Sequence, residues 1–100
     1  MNNGRRKELN KLILKLECIE TKDDIQVCID SLEGIQWDEQ DYFDNIPENL
    51  QSSFRALDSE EAIENMDEAL SNLNDALIAE GEEVEDLIET AIVCLEDAKL

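Results

Sequence analysis

The chain of 100 residues carries 27 acidic side chains against 8 basic ones, so its formal net charge is −19. It has no histidine, which excludes a Ser-His-Asp triad, a Cys-His pair and most zinc sites. The charge argues against direct binding to nucleic acid or to an anionic membrane surface, and one proline with three glycines argues against a turn-rich β-fold.

Two amphipathic helices are predicted in the first half of the chain. The first covers about residues 5–20, where apolar residues recur at i, i+3, i+4 and i+7. Thr21 interrupts this phase and can cap a second helix over about residues 22–43. The apolar stripe of the first helix is Leu9, Leu12, Ile13, Leu16 and Ile19, and that of the second is Ile25, Cys28, Leu32 and Ile35.

A connection is predicted over residues 44–57, because Pro47 pushes Ile46 away from helical angles. The third helix is expected to run from about 59 to 80, since Asp58 with Glu61 is an acidic form of the capping box.

The C-terminal half has a heptad pattern of apolar residues, which predicts coiled-coil-like packing. One long helix would measure about 60 Å. Alternatively, Gly81 ends the third helix and a fourth helix over about 82–98 folds back. The unbroken heptad phase favours one continuous helix, whereas the glycine and the short chain favour two helices. We prefer the two helices. The pattern consists of Ile63, Met66, Leu70, Leu73, Leu77, Val84, Leu87, Ala91, Cys94 and Ala98.

Together these elements predict a single all-α domain over residues 1–100. It is either a helical hairpin or a small antiparallel three- to four-helix bundle. The cysteines, odd in number and without close pairing, and the absence of a recognisable targeting segment favour the cytoplasm.

Charge is divided unequally along the chain. Residues 1–22 have a net charge of +3, whereas no basic residue occurs from 56 to 98. If those residues formed one line, their carboxylates would be spaced at about 4 Å, close to the phosphate spacing of a DNA strand. The acids either form a solvated face that keeps the protein soluble, or a partner-binding surface that imitates nucleic acid. The candidate surface residues are Glu60, Glu64, Asp67, Glu68, Glu82, Glu83, Asp86 and Glu89.

The basic residues of the first helix form a stripe at i, i+4 and i+8, made by Lys7, Lys11 and Lys15. We expect this stripe to pair with the acidic C-terminal helix inside the fold and so to favour antiparallel packing.

All four aromatic residues lie between positions 37 and 54. They form either a satellite core under the connection or anchors for a partner, for which Trp37, Tyr42 and Phe43 are the candidates. The spacing of the nearby aspartates is not that of an EF-hand, so no metal site is expected. Without a candidate nucleophile or cofactor loop, neither an enzyme nor a cofactor is expected. Cys28 and Cys94 are expected to be buried as small apolar residues.

Two stretches of the chain resemble a family of small acidic helical proteins common in phages and prophages of Gram-positive bacteria. They are the helix opening Asn3-Gly-Arg-Arg-Lys-Glu-Leu9 and the segment Asp41-Tyr-Phe-Asp-Asn-Ile-Pro-Glu-Asn-Leu-Gln51 followed by Ser59-Glu-Glu-Ala-Ile-Glu-Asn-Met-Asp-Glu-Ala-Leu70. The chain departs from the usual family pattern over residues 18–36 and has more carboxylates at its C-terminus. The resemblance implies that the protein is encoded in a phage or prophage genome, and it supplies no catalytic residues.

These observations lead to two alternative hypotheses, which belong to different classes of function. Small phage accessory proteins often act against host enzymes, and acidic ones are similar in character to DNA-mimic inhibitors, including some anti-CRISPR and anti-restriction proteins. The first hypothesis is therefore a noncatalytic inhibitor, active in the host cytoplasm, that binds the basic groove of a nuclease or another nucleic-acid-binding defence protein. The second is a structural or assembly module that forms a homodimer, or binds another phage protein, through Leu70, Leu73 and Leu77.

Overall fold

The fold is an antiparallel bundle of helices. A computed structural model describes residues 2–50 and 53–99, and the side chain of Phe54 lies outside this description. Neighbouring helices along the chain pack together, and the first helix also packs on the last, which closes the bundle. The Cα atoms extend over 48 × 20 × 18 Å. The described helices are α1 (Asn3–Glu17), α2 (Lys22–Asp44), α3 (Phe54–Ile78) and α4 (Glu82–Ala98), with a short 3₁₀ turn at Glu48–Leu50. The all-α antiparallel prediction is confirmed.

Polar side chains fix the starts of three helices. Asn2 accepts a hydrogen bond from the Arg5 N–H at 2.8 Å and caps α1. Thr21 and Asp24 form a reciprocal capping box at the start of α2. The backbone N–H groups of Glu20 and Thr21 donate to the Asp24 carboxylate and hold its pKa below the usual value. The ionised Asp24 carboxylate therefore stabilises the folded protein at neutral pH, and this stabilisation is lost as the pH falls through the lowered pKa.

The third helix begins earlier than predicted. Ser53 caps it by accepting a hydrogen bond from the Ala56 N–H, so α3 starts at Phe54 rather than at 59. Asp58 therefore lies inside the helix, and its interpretation as a cap is wrong. The connection predicted over 44–57 is correspondingly shorter, and its residues 51 and 52 lie outside the described part of the chain. The first helix also ends sooner, at Glu17 rather than at 20.

The break near Gly81 is confirmed. Gly81 has a φ of 66° and a ψ of −141°, a backbone conformation that side chains with a Cβ rarely adopt. It follows the end of α3 and lets α4 fold back against it. The Lys22 Nζ donates to the carbonyls of Ala76 at 2.5 Å and Leu77 at 3.1 Å, and also to that of Ala79. A cation thus stabilises the negative end of the α3 dipole.

The apolar face of α3 is wider than one heptad seam because α3 packs between α2 and α4. Met66 and Leu73 are fully buried, as the seam predicted, whereas Leu70 and Leu77 are only half-buried. Burial continues along a second row made of small side chains, which allow the neighbouring helices to approach closely. This row consists of Ala62, Ala69 and Ala76.

Ser59 offers a test of the packing. Its side chain is fully buried in α3, and its Oγ makes no hydrogen bond within residues 2–50 and 53–99. A buried hydroxyl without a partner lowers stability, so Ser59→Ala should raise the free energy of unfolding by about 1 kcal/mol. Urea denaturation followed by circular dichroism measures this change. Ser71→Ala, on the exposed face of α3, controls for helix propensity. Equal effects of the two substitutions would contradict the prediction.

Candidate acidic interface

The predicted acidic residues lie on the outside of α3 and α4. All eight side chains are exposed, because the apolar rows of both helices face the bundle interior. The turn at Gly81 places the two helices side by side and antiparallel. Glu68 lies beside Cys94 and Glu61 near Asp97, so the acids in the first half of α3 adjoin the end of α4. The acids in the first half of α4 adjoin the end of α3, so the two groups follow each other along the hairpin. The single row along one long helix that the sequence suggested is therefore not formed. We call this surface the acidic face; it comprises Glu60, Glu64, Asp67 and Glu68 of α3 and Glu82, Glu83, Asp86 and Glu89 of α4.

Four of the eight basic residues are engaged inside the bundle. Lys22 holds the carbonyls at the end of α3. The Arg6 Nε donates to the Lys99 carbonyl at 2.8 Å and joins α1 to the end of α4. Lys99 Nζ lies 2.7 Å from Glu96 and 2.7 Å from the Asn10 Oδ1, and Arg5 contacts Glu39. Within the described residues, no ion pair involves a member of the acidic face.

The predicted pairing of the lysine stripe with α4 is not found among the described residues. Lys7, Lys11 and Lys15 are all exposed, and in the described part of the chain none of them forms an ion pair with an acid of α4. Lys11 and Lys15 instead line a groove between α1 and α2. The expected pairing fails because α1 reaches α4 through its buried side chains and Arg6, while the stripe lies on another side of α1.

Two members of the acidic face also have contacts with neighbouring helices. The Gln36 Nε2 of α2 donates to the Asp67 carboxylate and lies 3.4 Å from the carbonyl oxygen of Ile63. Glu68 lies beside Cys94 of α4, where burial first and this carboxylate second raise the pKa of the thiol. Asp67 and Glu68 therefore mark the two edges of α3, towards α2 and α4 respectively.

The three candidate aromatic anchors are not equivalent. Trp37 is 73% exposed on α2. The Tyr42 ring is covered by the Arg5 guanidinium, whose carbon lies 5.1 Å from the ring centroid, and Phe43 is half-buried. Of the three, Trp37 alone presents most of its side chain to the solvent.

A buried charge pair escaped the sequence analysis. The Glu39 side chain is completely buried, and its Oε2 lies 2.6 Å from the Nε of Arg5, whose side chain is 13% exposed. The contact has the distance of an ion pair but not the alignment of a hydrogen bond. Glu39 continues the buried stripe of α2 four residues after Ile35, which is the signal that could have revealed its burial.

The cysteines follow the prediction. Cys28 and Cys94 are buried, and burial raises the pKa of both thiols, which keeps them protonated at neutral pH. Cys18 is exposed, and all three cysteines are free thiols.

No group of three or more cysteine, aspartate or glutamate side chains in residues 2–50 and 53–99 is placed to hold a metal ion. None of the described helices combines the length and apolar character needed to cross a bilayer.

No protein-family model matches the chain, and neither a curated protein nor a solved structure is significantly similar to it.

Proposed function

We propose that this protein is a noncatalytic inhibitor, encoded by a phage and active in the bacterial cytoplasm. In this proposal it binds a host defence or nucleic-acid-processing protein through the acidic face. The observation that carries the proposal is the charge imbalance of that face. Its eight carboxylates are exposed and form no ion pair with described basic side chains, while four of the basic residues are engaged elsewhere in the bundle.

The energetic cost of this arrangement supports a binding role. Glu60 and Glu64, Glu64 and Glu68, and Glu82 and Asp86 are like charges at i and i+4, and each pair mildly destabilises its helix. A helix built only for stability would alternate charges. A basic groove would relieve the repulsion on binding, and the charge would steer the two proteins together rapidly.

The arrangement of the acidic face suits a partner that binds nucleic acid. Its α3 and α4 acids follow each other along the hairpin, so negative charge extends over most of the length of the hairpin. A basic groove built for a nucleic-acid backbone is therefore a suitable partner. Binding of this kind should weaken steeply as the salt concentration rises.

Assembly through the leucine seam is less favoured. Leu73 is fully buried, and Leu70 and Leu77 pack against the same core, so the seam is occupied within one chain. A homodimer through these residues would need the bundle to open.

The decisive experiment uses charge reversal in the acidic face. The variant Glu64→Lys/Glu82→Lys/Glu89→Lys should bind a basic target at least about tenfold more weakly than the native protein, because three attractive charges become repulsive. The native protein is immobilised, and host proteins are eluted with a salt gradient or with DNA. Targets that DNA displaces are then purified and titrated against both proteins.

The control variant Glu8→Lys/Glu17→Lys/Glu20→Lys changes the net charge equally but lies outside α3 and α4, and all three of its side chains are exposed. It should keep most of the affinity, and circular dichroism should show that both variants remain helical. If both variants lost affinity equally, the total net charge and not the acidic face would determine binding, which would contradict the proposed interface. Full binding by the acidic-face variant would refute the proposal.

A further inference from the structure

Trp37 is the largest apolar side chain left in solvent within the described residues, although tryptophan is usually well covered. Its neighbours one turn away on α2 are Glu33 and Asp41, and both are exposed. Residues four apart on a helix lie about 6 Å from each other at their Cβ atoms. An indole ring is thus placed between two carboxylates on the same helix face.

A contact between α2 and α3 joins this position to the acidic face. Gln36, the residue before Trp37, donates to the Asp67 carboxylate and approaches the Ile63 carbonyl. Trp37 itself points about 100° further round α2, on the exposed side of the helix, because consecutive residues of a helix do not share a face. A partner that covers the Asp67 edge of the acidic face therefore extends across α2 to reach Trp37, where Glu33 and Asp41 add negative charge.

The same helix shows what such a combination binds. At Tyr42, the Arg5 guanidinium lies over an aromatic ring and at the same time contacts the Glu39 carboxylate. Trp37 has an aromatic ring with carboxylates beside it, but no basic side chain of the described residues lies over the ring. Tryptophan is the best aromatic partner for a cation, and arginine is the cation that most often takes this role.

We propose that Trp37 binds an arginine side chain of the partner, with the guanidinium stacked on the indole and hydrogen-bonded to Glu33 or Asp41. This inference rests on the proposed function and names the chemistry of the partner at one edge of the acidic face. The partner is a protein that presents arginine, rather than lysine alone, at the border of its basic groove.

Trp37 is the only tryptophan of the chain, so its fluorescence reports on this position alone. The full chain is titrated at low salt with blocked hexa-arginine and hexalysine peptides that carry a fluorescent label, and binding is followed by anisotropy. The native protein should bind the arginine peptide about fivefold more tightly than the lysine peptide. The unlabelled arginine peptide should change the indole emission more than the lysine peptide does.

Trp37→Leu should remove the preference for arginine, whereas Leu14→Ala, an exposed apolar change on α1, should keep it. A preference that survives Trp37→Leu would overturn the inference. The acidic-face variant separates this result from the proposed function, because it should bind both peptides more weakly and keep their ratio. Unchanged binding by that variant, with a lost preference in Trp37→Leu, would leave the inference standing and refute the proposed function.

Discussion

Arg5→Met should lower the free energy of unfolding by about 3 kcal/mol, because it removes the cation that lies 2.6 Å from a completely buried carboxylate. Such a loss is a large part of the stability of a small domain, which is typically about 5–15 kcal/mol. The substitution also uncovers the Tyr42 ring. Urea denaturation of the purified variant, followed by circular dichroism, measures the change.

The double variant Arg5→Met/Glu39→Leu distinguishes a buried charge from lost packing. Replacing both charged groups with apolar ones removes the cost of burying an ion, so the double variant should be more stable than Arg5→Met alone. A double variant that is no more stable than Arg5→Met would mean that lost side-chain packing, and not the buried charge, explains the effect.

Gly81→Ala should lower the free energy of unfolding by about 2 kcal/mol, because an alanine at a φ of 66° is strained whatever space surrounds it. The strain is relieved if the chain continues as a helix through this point, which is the alternative that the heptad phase favoured. Urea denaturation measures the loss. X-ray scattering reports whether the variant keeps the compact shape, whose radius of gyration over the Cα atoms is 14.0 Å.

Gly34 is the matched control for this substitution. It lies within α2, and a Cβ added there meets no atom within 4 Å. Gly34→Ala should therefore raise stability by about 1 kcal/mol, since glycine is less favourable than alanine inside a helix. The same chemical change should thus have opposite signs at the two positions. A stabilising Gly81→Ala would contradict the turn described here.

The Gly81 turn also bears on the proposed function. The two groups of acids belong to one compact hairpin only because α4 folds back on α3. A variant that straightens this turn moves the acids of α4 away from α3 without changing a single charge. Gly81→Ala therefore connects the stability of the hairpin with the shape of the acidic face.

Helical periodicity in the sequence predicted the helical class, the buried stripes of α1 and α2, the burial of Cys28 and Cys94, and the exposure of the eight acids of the acidic face. These features depend on residues within a few turns of each other, because helical periodicity places every third or fourth side chain on one face. The turn at Gly81 was likewise readable, although only as the preferred of two alternatives.

Only the packed structure revealed the start of α3, the wide apolar face of that helix, the pairing of Arg5 with Glu39 and the use of Lys22 at the end of α3. It also showed that the two groups of acids lie on antiparallel helices. The reason is sequence separation: Lys22 contacts Ala76 across 54 residues, and Arg6 contacts Lys99 across 93 residues. A periodic pattern shows which face of a helix is buried, but the order in which the helices pack sets which residues meet there.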